Sequence, residues 1–185
     1  HLVNTSGALW VIDEAYFEFH GETAIELTRN CRNLVVLRTF SKALATAGLR
    51  FGCMVAHPEA RPIFSAAKLP YNLNIFTMAA VETAIDNAVT LKSRVDEIKR
   101  ERERVARRLR EYKGCKVYPS RANFILFETN RDPRELWKAM VSRGVLVRDV
   151  SNYPRLAKAL RVSIGRPEEN DAFLKALEYA ITVVA

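Results

Sequence analysis

The sequence contains no long hydrophobic run. Nowhere in its 185 residues does an apolar stretch reach the roughly 18 residues that a membrane-spanning helix needs. The residues after His1 also lack the charged, apolar and small-residue blocks of a secretory signal. We therefore expect a cytoplasmic protein with no segment that crosses or enters a membrane.

Cysteine is also scarce. The chain has three, Cys31, Cys53 and Cys115, and they form no CxxC pair. An odd number of widely separated cysteines favours apolar thiols that stay reduced over a disulfide framework. A structural zinc site would need closer ligands than Cys31, His57 and Cys115. The sequence therefore predicts no metal site.

Positive charge is abundant but unevenly distributed. The formal net charge is +8, and the segment from Lys92 to Lys113 alone contains ten basic and five acidic residues. Apolar residues recur along this segment at partly helical spacing, which indicates a long helix with a solvated charged face. No zinc finger or RNA-binding aromatic signature accompanies it. We expect no nucleic-acid partner and assign the basic balance to anionic small-molecule substrates.

Short apolar runs alternate with helical stretches in the first half of the chain, which is typical of an α/β sheet. Strands are predicted at 8–13, 33–40 and 51–57, with helices at 22–30, 58–68 and 75–88. After the charged helix, Gly114 introduces a different order. Strands at 115–120, 123–128, 145–150 and 160–165 and helices at 132–144 and 167–184 indicate a small α+β domain. The break is expected within the long helix, near residues 88–95.

Three short motifs contain the residues that could carry chemistry. DEAYFEF places Asp13 at the end of a strand, where ligands of α/β sheets bind. TFSKALATAGLRFG places Ser41 and Lys42 after a strand, with Arg50 eight residues beyond the lysine, and LRVSIG begins a late strand with Arg161. Each motif alone also fits a simpler role, namely a helix cap, a solvated lysine or a surface arginine. Their order and spacing together favour function.

These motifs, together with PYNLN and ANFILFE, resemble the fold-type I pyridoxal-phosphate aminotransferases, and most closely the histidinol-phosphate aminotransferase family. The resemblance runs from about residue 8 to the C-terminus. It implies that residues 1–90 are the C-terminal part of a large cofactor-binding domain with a mostly parallel sheet. Residues 91–185 would then be the small α+β domain. It also implies amino-group transfer between L-histidinol phosphate and 2-oxoglutarate, by a homodimer.

The resemblance also implies a role for each matching residue. Lys42 corresponds to the Schiff-base lysine, which binds pyridoxal 5'-phosphate and moves a proton. Asp13 corresponds to the carboxylate that keeps the pyridine nitrogen protonated, and Tyr16 to the phenol that hydrogen-bonds O3′. The remaining matches bind anions: Ser41 and Arg50 correspond to ligands of the cofactor phosphate, Arg161 to a substrate anchor, and Arg148 to a second arginine that could hold the substrate.

The family enzyme is about twice as long as this chain. The N-terminal arm, the phosphate-binding helix start and the aromatic that stacks on the pyridine ring should precede His1, because the polar stretch 4–7 cannot replace them. We therefore expect a fragment that has little activity by itself. Three alternatives remain open: an aromatic amino-acid aminotransferase, an enzyme like threonine-phosphate decarboxylase, and a basic binding module without activity.

Overall fold

The structure is a computed structural model that describes residues 7–184. The chain forms two compact units that divide between Ser93 and Arg94. The strands are β1 (Trp10–Asp13), β2 (Leu34–Thr39), β3 (Gly52–Ala56), β4 (Lys116–Val117), β5 (Phe124–Glu128), β6 (Arg148–Asp149) and β7 (Ala159–Ser163). The α-helices are α1 (Phe17–His20), α2 (Arg61–Ala67), α3 (Ile75–Asp86), α4 (Ala88–Glu111), α5 (Pro133–Val141) and α6 (Pro167–Val183).

A three-stranded sheet in the order β1-β2-β3 organises the first unit. The central strand β2 begins with Leu34, Val35 and Val36, all fully buried, as its continuous apolar run predicts. β1 pairs with β2 in parallel, and β3 pairs with β2 in antiparallel orientation. The prediction of a mostly parallel sheet is therefore wrong for β3 among the described strands. Only 12 residues (40–51) separate β2 from β3, and they include a single short 3₁₀ turn in place of the helix that a parallel crossover normally contains.

This topology brings three strand ends together. The parallel pairing puts the carboxyl ends of β1 and β2 at the same end of the sheet, where Asp13 aligns with Leu37. Because β3 runs the other way, its first residue, Gly52, lies opposite Thr39, the last residue of β2. The segments that follow β1 and β2 and the segment that precedes β3 therefore all start from one end of the sheet.

The helices of the first unit are shorter than predicted. The segment 22–30 forms a 3₁₀ helix at Ile25–Arg29, and 58–68 divides into a 3₁₀ turn at Pro58–Ala60 followed by α2. Proline at positions 58 and 62 favours first-turn geometry and supplies no backbone N–H group, which limits regular helix in this stretch. The predicted helix at 75–88 is confirmed as α3.

The second unit has a four-stranded antiparallel sheet in the order β4-β5-β7-β6. Its core combines alternate residues of β5 and β7 with the apolar faces of α4, α5 and α6. The largest fully buried side chains of this core are Leu109, Ile125, Phe127, Leu136, Met140, Leu160 and Leu177. Burial of each such side chain contributes about 1.5–3 kcal/mol. The first unit lacks a comparable set among its described residues, and large apolar side chains such as Ile63 and Phe76 are exposed.

The long charged helix α4 extends from Ala88 to Glu111, close to the predicted segment. Val105 and Leu109 on its apolar face are fully buried, whereas Arg107 is solvated, as the charge pattern predicts. Arg102 is an exception because it is buried and donates to the carbonyl of Ala122 at 3.0 Å. The helix is followed by Gly114 at φ +79°, a left-handed conformation that suits glycine.

No helix within residues 7–184 is both long and apolar enough to cross a bilayer. The same residues contain no cluster of three or more metal-ligating side chains. The three thiols differ in their surroundings: Cys31 is buried, Cys53 is exposed on β3, and Cys115 is partly buried. Burial raises the pKa of Cys115 to about 11, and it also raises the pKa of Cys53.

Candidate active site

Asp13 ends β1 and begins the turn that contains Tyr16. Its Oδ1 accepts a hydrogen bond from the backbone N–H of Ala15 at 2.9 Å. The side chain of Asp13 is exposed. Because side chains alternate along a strand, Asp13 shares a sheet face with its aligned neighbours Leu37 and Met54. A ligand at this end of the sheet could reach the carboxylate.

The loop between β2 and β3 has an internal hydrogen-bond network that shapes the Ser41–Lys42 segment. The hydroxyl of Thr39 lies 3.0 Å from Ser41 Oγ, and it accepts from the Ser41 backbone N–H at 3.2 Å. Thr46 Oγ1 donates to the carbonyl of Phe40 at 2.7 Å. These bonds fold the loop back at the end of β2, where Ser41 is half-buried.

Lys42 is exposed, and its ammonium group lies near Tyr16. The distance from Lys42 Nζ to the centroid of the Tyr16 ring is 5.7 Å, which is within the range of a cation–π contact. Tyr16 follows Asp13 by three residues, so this contact links the turn after β1 to the loop after β2.

Arg50 lies immediately before β3, at the same end of the sheet. Its backbone is left-handed, with φ +52°, and its Nη1 donates to the carbonyl of Ala47 at 2.8 Å. Nearby, Gly52 packs so closely on β2 that a Cβ atom there would lie 2.8 Å from the carbonyl oxygen of Arg38. This close packing explains the second glycine of GLRFG. Arg50 itself is an exposed residue.

A buried acid that the sequence reasoning missed lies next to Asp13. Glu14 is 8% exposed and accepts hydrogen bonds from Thr23 Oγ1 at 2.8 Å, from the Ala24 backbone N–H at 2.6 Å and from Arg38 Nε at 2.8 Å. Burial alone would raise the pKa of Glu14, but these three partners hold it below its ordinary value. The signal in the sequence was Arg38, a charged residue within the otherwise apolar run LVVLRT.

Arg148 and Arg161 form a second group, in the second unit. They are directly aligned across the antiparallel β6–β7 pair. The guanidinium carbon of Arg161 lies 5.0 Å from the centroid of Phe124, and its Nε is buried without a hydrogen-bond partner among the described residues. Like charges directly opposite in a sheet repel each other, which is the arrangement expected of an anion site.

A cavity of about 720 Å³ adjoins the two arginines. Its charged lining consists of four cations and one carboxylate, namely Arg134, Lys138, Arg148, Arg161 and Asp149. Trp137 also lines it and is fixed by a 2.9 Å hydrogen bond from its indole N–H to the carbonyl of Val147. The excess of positive charge and the aromatic wall suit a small anionic molecule.

The predicted site residues thus fall into two groups. The first contains five residues at one end of the first sheet, Asp13, Tyr16, Ser41, Lys42 and Arg50. The second contains Arg148 and Arg161. The first group combines a carboxylate, a phenol, a primary amine, a hydroxyl and a guanidinium, which can together bind a phosphorylated and protonated heteroaromatic ring.

The family model for aminotransferase class I and II matches residues 1–177, so the chain belongs to this family of aminotransferases. Among curated relatives, it is 39% identical over 177 residues to a histidinol-phosphate aminotransferase from Thermoanaerobacter pseudethanolicus. That alignment covers 96% of this chain and 50% of the relative. The chain therefore spans about half the length of the curated relatives it matches.

Two solved structures are similar over most of this chain. L-threonine-O-3-phosphate decarboxylase from Porphyromonas gingivalis has a TM-score of 0.84 and 27% identity, covering 94% of this chain and 55% of that one. Histidinol-phosphate aminotransferase from Sinorhizobium meliloti, solved in complex with pyridoxal-5'-phosphate, has a TM-score of 0.81 and 27% identity, covering 94% and 49%. The fold is thus that of pyridoxal-phosphate aminotransferases and related decarboxylases.

Proposed function

We propose that this chain contributes the catalytic lysine and much of the cofactor site to a pyridoxal-phosphate aminotransferase. The enzyme would transfer an amino group reversibly between L-histidinol phosphate and 2-oxoglutarate. The single observation that carries this proposal is the meeting of Asp13, Tyr16 and Lys42 at one end of a sheet. Two sequence motifs, DEAYFEF and the one that contains Lys42, meet there through the 5.7 Å distance between Lys42 Nζ and the centroid of the Tyr16 ring. The names of the curated relatives support the reaction.

The residues of the first group fit the cofactor. The guanidinium of Arg50 and the hydroxyl of Ser41 would bind its phosphate, and the carboxylate of Asp13 would accept a hydrogen bond from the protonated pyridine nitrogen. Bound in this way, the cofactor supplies an electron sink for the carbon that loses its proton. The phenol of Tyr16, next to the ammonium of Lys42, would donate to the ring oxygen.

Lys42 has two tasks in this scheme. Its amine would hold the cofactor covalently until substrate arrives, and it would then carry a proton between the substrate carbon and the cofactor. Both tasks require a side chain that can move, and the exposed position of Lys42 leaves it room to do so. The nearby Tyr16 would limit this movement to the side of the ring at which the proton is transferred.

Substrate anions would bind at Arg148 and Arg161. A phosphate or carboxylate between the two guanidinium groups would remove their mutual repulsion and satisfy the buried Nε of Arg161. In one half of the reaction, the phosphate of L-histidinol phosphate would bind to this arginine pair. In the other half, a carboxylate of glutamate would bind to the same pair. The proposed substrates therefore share one anion site.

The partial length of the chain leads to a further part of the proposal. Apolar side chains on the Asp13 face of the first sheet, Val11 and Met54, are 55% and 41% exposed, and Phe76 on α3 is 82% exposed. Contiguous apolar surface normally contacts protein, and we propose that these side chains belong to one such patch. We propose that the other half of the relatives' length covers this surface, that the whole enzyme is a cytoplasmic homodimer, and that residues 1–185 alone bind the cofactor weakly.

A second candidate activity, decarboxylation of threonine phosphate, has one observation in its favour, the TM-score of 0.84 to a solved decarboxylase. An aromatic amino-acid aminotransferase is a third. All three reactions would use Lys42 in the same way, so the choice among them depends on the substrate.

Steady-state assays of the full-length protein with L-histidinol phosphate, phenylalanine and threonine phosphate test the choice. We expect L-histidinol phosphate to give the highest kcat/KM, and a higher value for either rival would refute the assignment. Lys42→Ala should abolish all activity and the visible absorbance of the bound cofactor, whereas Lys68→Ala, which removes another exposed lysine of the same unit, should leave both unchanged. Tight cofactor binding by residues 1–185 alone would contradict the proposal about partial length.

A further inference from the structure

We propose that Glu14 and Arg38 are positioning residues, whose buried ion pair holds the turn bearing Asp13 and Tyr16 against the strand that leads to Lys42. This inference rests on the proposed function of that site. Neither residue would touch the cofactor. Their role is to fix the distance between the two segments that do.

The backbone geometry puts the pair directly behind the site. Glu14 follows Asp13, and its N–H donates to the carbonyl of Leu37 at 2.9 Å, so the β1–β2 pairing continues one residue past Asp13. Because side chains alternate, Glu14 points to the face of the sheet opposite to that of Asp13. There it meets Arg38, the neighbour of Leu37, with an Nη2–Oε2 distance of 2.8 Å.

The pair also anchors the segment after Asp13 at several points. Arg38 Nη2 donates to Thr23 Oγ1 at 2.9 Å, and Thr23 donates in turn to Glu14. The guanidinium carbon of Arg38 lies 3.5 Å from the centroid of the Phe17 ring. Phe17 follows Tyr16 directly, so the arginine that pairs with Glu14 also restrains the phenol beside Lys42.

The side chains of Glu14 and Arg38 are both largely buried. The side chain of Glu14 is 7% exposed and that of Arg38 is 16% exposed. A buried charge that loses its partner cannot be compensated by water, so the turn must rearrange when either residue is replaced. A rearrangement of this kind would move Asp13 and Tyr16 relative to Lys42, and a displacement of about 1 Å can reduce a catalysed rate by about 100-fold.

The test compares Glu14→Gln and Arg38→Met in the full-length, cofactor-loaded protein. We expect each variant to lower kcat by about 100-fold, with KM for the amino donor little changed. We also expect a shift in the pH at which the visible absorbance of the bound cofactor changes, because that pH depends on the contacts of Asp13 and Tyr16. A purely structural ion pair would alter neither quantity in protein that remains folded.

Glu101→Gln is the matched control. Glu101 and Arg104 form a comparable pair in the second unit, at 2.7 Å, with side chains 12% and 34% exposed. This variant should lower the melting temperature but leave kcat and the absorbance change at their wild-type values. If Glu14→Gln behaves like Glu101→Gln, the proposal is overturned.

A milder variant, Thr23→Val, keeps both charges and removes one hydroxyl from the network. It should change kcat and the absorbance pH in the same direction by a smaller factor, and it serves if Glu14→Gln does not fold. Unchanged values for Thr23→Val in that case would overturn the proposal. Failure of the underlying function is distinguished by Lys42→Ala: if that variant keeps its activity, the proposed function and the positioning role are both wrong.

Discussion

Replacement of Arg148 should have opposite effects on stability in the absence and in the presence of an anion. Arg148 lies directly across the β6–β7 ladder from Arg161. Like charges in this position destabilise a sheet by about 0.2–1 kcal/mol. Arg148→Thr introduces a residue that favours strands and removes the repulsion, so the free energy of unfolding should rise by about 0.5 kcal/mol without ligand.

The anion reverses the order of stabilities. At an inorganic phosphate concentration of 100 times the wild-type Kd, binding stabilises the folded protein by about 2.7 kcal/mol. Loss of one charged hydrogen-bond donor weakens binding by at least about tenfold. The variant would then gain only about 1.4 kcal/mol at the same phosphate concentration. With its initial advantage of about 0.5 kcal/mol, the variant with phosphate is about 1.9 kcal/mol more stable than the wild type without phosphate. The wild type with phosphate gains about 2.7 kcal/mol, so the variant is then the less stable protein.

Urea unfolding followed by the fluorescence of Trp137 measures this crossing, since Trp137 lines the cavity. A Trp10→Phe background leaves Trp137 as the only tryptophan. Sodium chloride at equal ionic strength separates specific binding from general screening. Arg107→Gln, which removes a solvated arginine of α4, should respond to phosphate as the wild type does. The reasoning is refuted if Arg148→Thr is less stable without phosphate and phosphate stabilises both proteins equally.

Three further predictions concern stability. Glu101→Gln should lower the free energy of unfolding by about 2 kcal/mol at pH 7. The hydrogen bond from Arg104 is the main cause that holds the pKa of Glu101 below its ordinary value. The stabilisation is therefore complete above the ordinary glutamate pKa and is lost as the pH falls through the lower folded-state pKa, so the difference should shrink in acid. Gly52→Ala, measured by thermal unfolding, should cost about 1–3 kcal/mol because the added Cβ meets the carbonyl of Arg38. Leu177→Ala, measured by urea unfolding, should cost about 2–5 kcal/mol because Leu177 is fully buried.

Glu101→Gln and Leu177→Ala each have an internal comparison. Glu111→Gln breaks an exposed ion pair with Arg108 and should cost less than about 1 kcal/mol at any pH. Ile63→Ala removes a side chain that is already exposed and should be nearly neutral. A pH-independent loss for Glu101→Gln would mean that packing, not charge, accounts for its effect.

The sequence predicted the existence of most elements but not their directions. Apolar runs located β1, β2 and β3 because such a run predicts a strand in either direction, although of these three strands only β2 contains fully buried residues. The direction of β3 depends on the segment that connects it to β2. That segment is too short for the helix of a parallel crossover, so its length indicated an antiparallel strand. The segments at 145–150 and 22–30 were predicted as regular elements, but they form only a two-residue strand and a 3₁₀ helix.

The roles of the cofactor-site candidates came from the resemblance to the aminotransferase family, and they stay predictions. Glu14 was missed although Arg38 was a signal, because an acid next to another acid is typical of surface charge until the tertiary structure shows that Arg38 pairs with it. Burial is a property of the whole unit and leaves no local signature at position 14. The sequence did not predict the alignment of Arg148 with Arg161 either, because that alignment depends on the register of β6 and β7.

The surroundings of the three thiols have a practical consequence for labelling. Alkylating reagents react with the thiolate, so the buried Cys31 and the poorly ionised Cys115 should resist modification at neutral pH. Cys53 is the accessible thiol of the three, and its elevated pKa means that mildly alkaline buffer is needed. A single fluorophore attached there would lie across the strand pair from Arg38. It would report on movements of the turn next to the proposed cofactor site without any engineered cysteine.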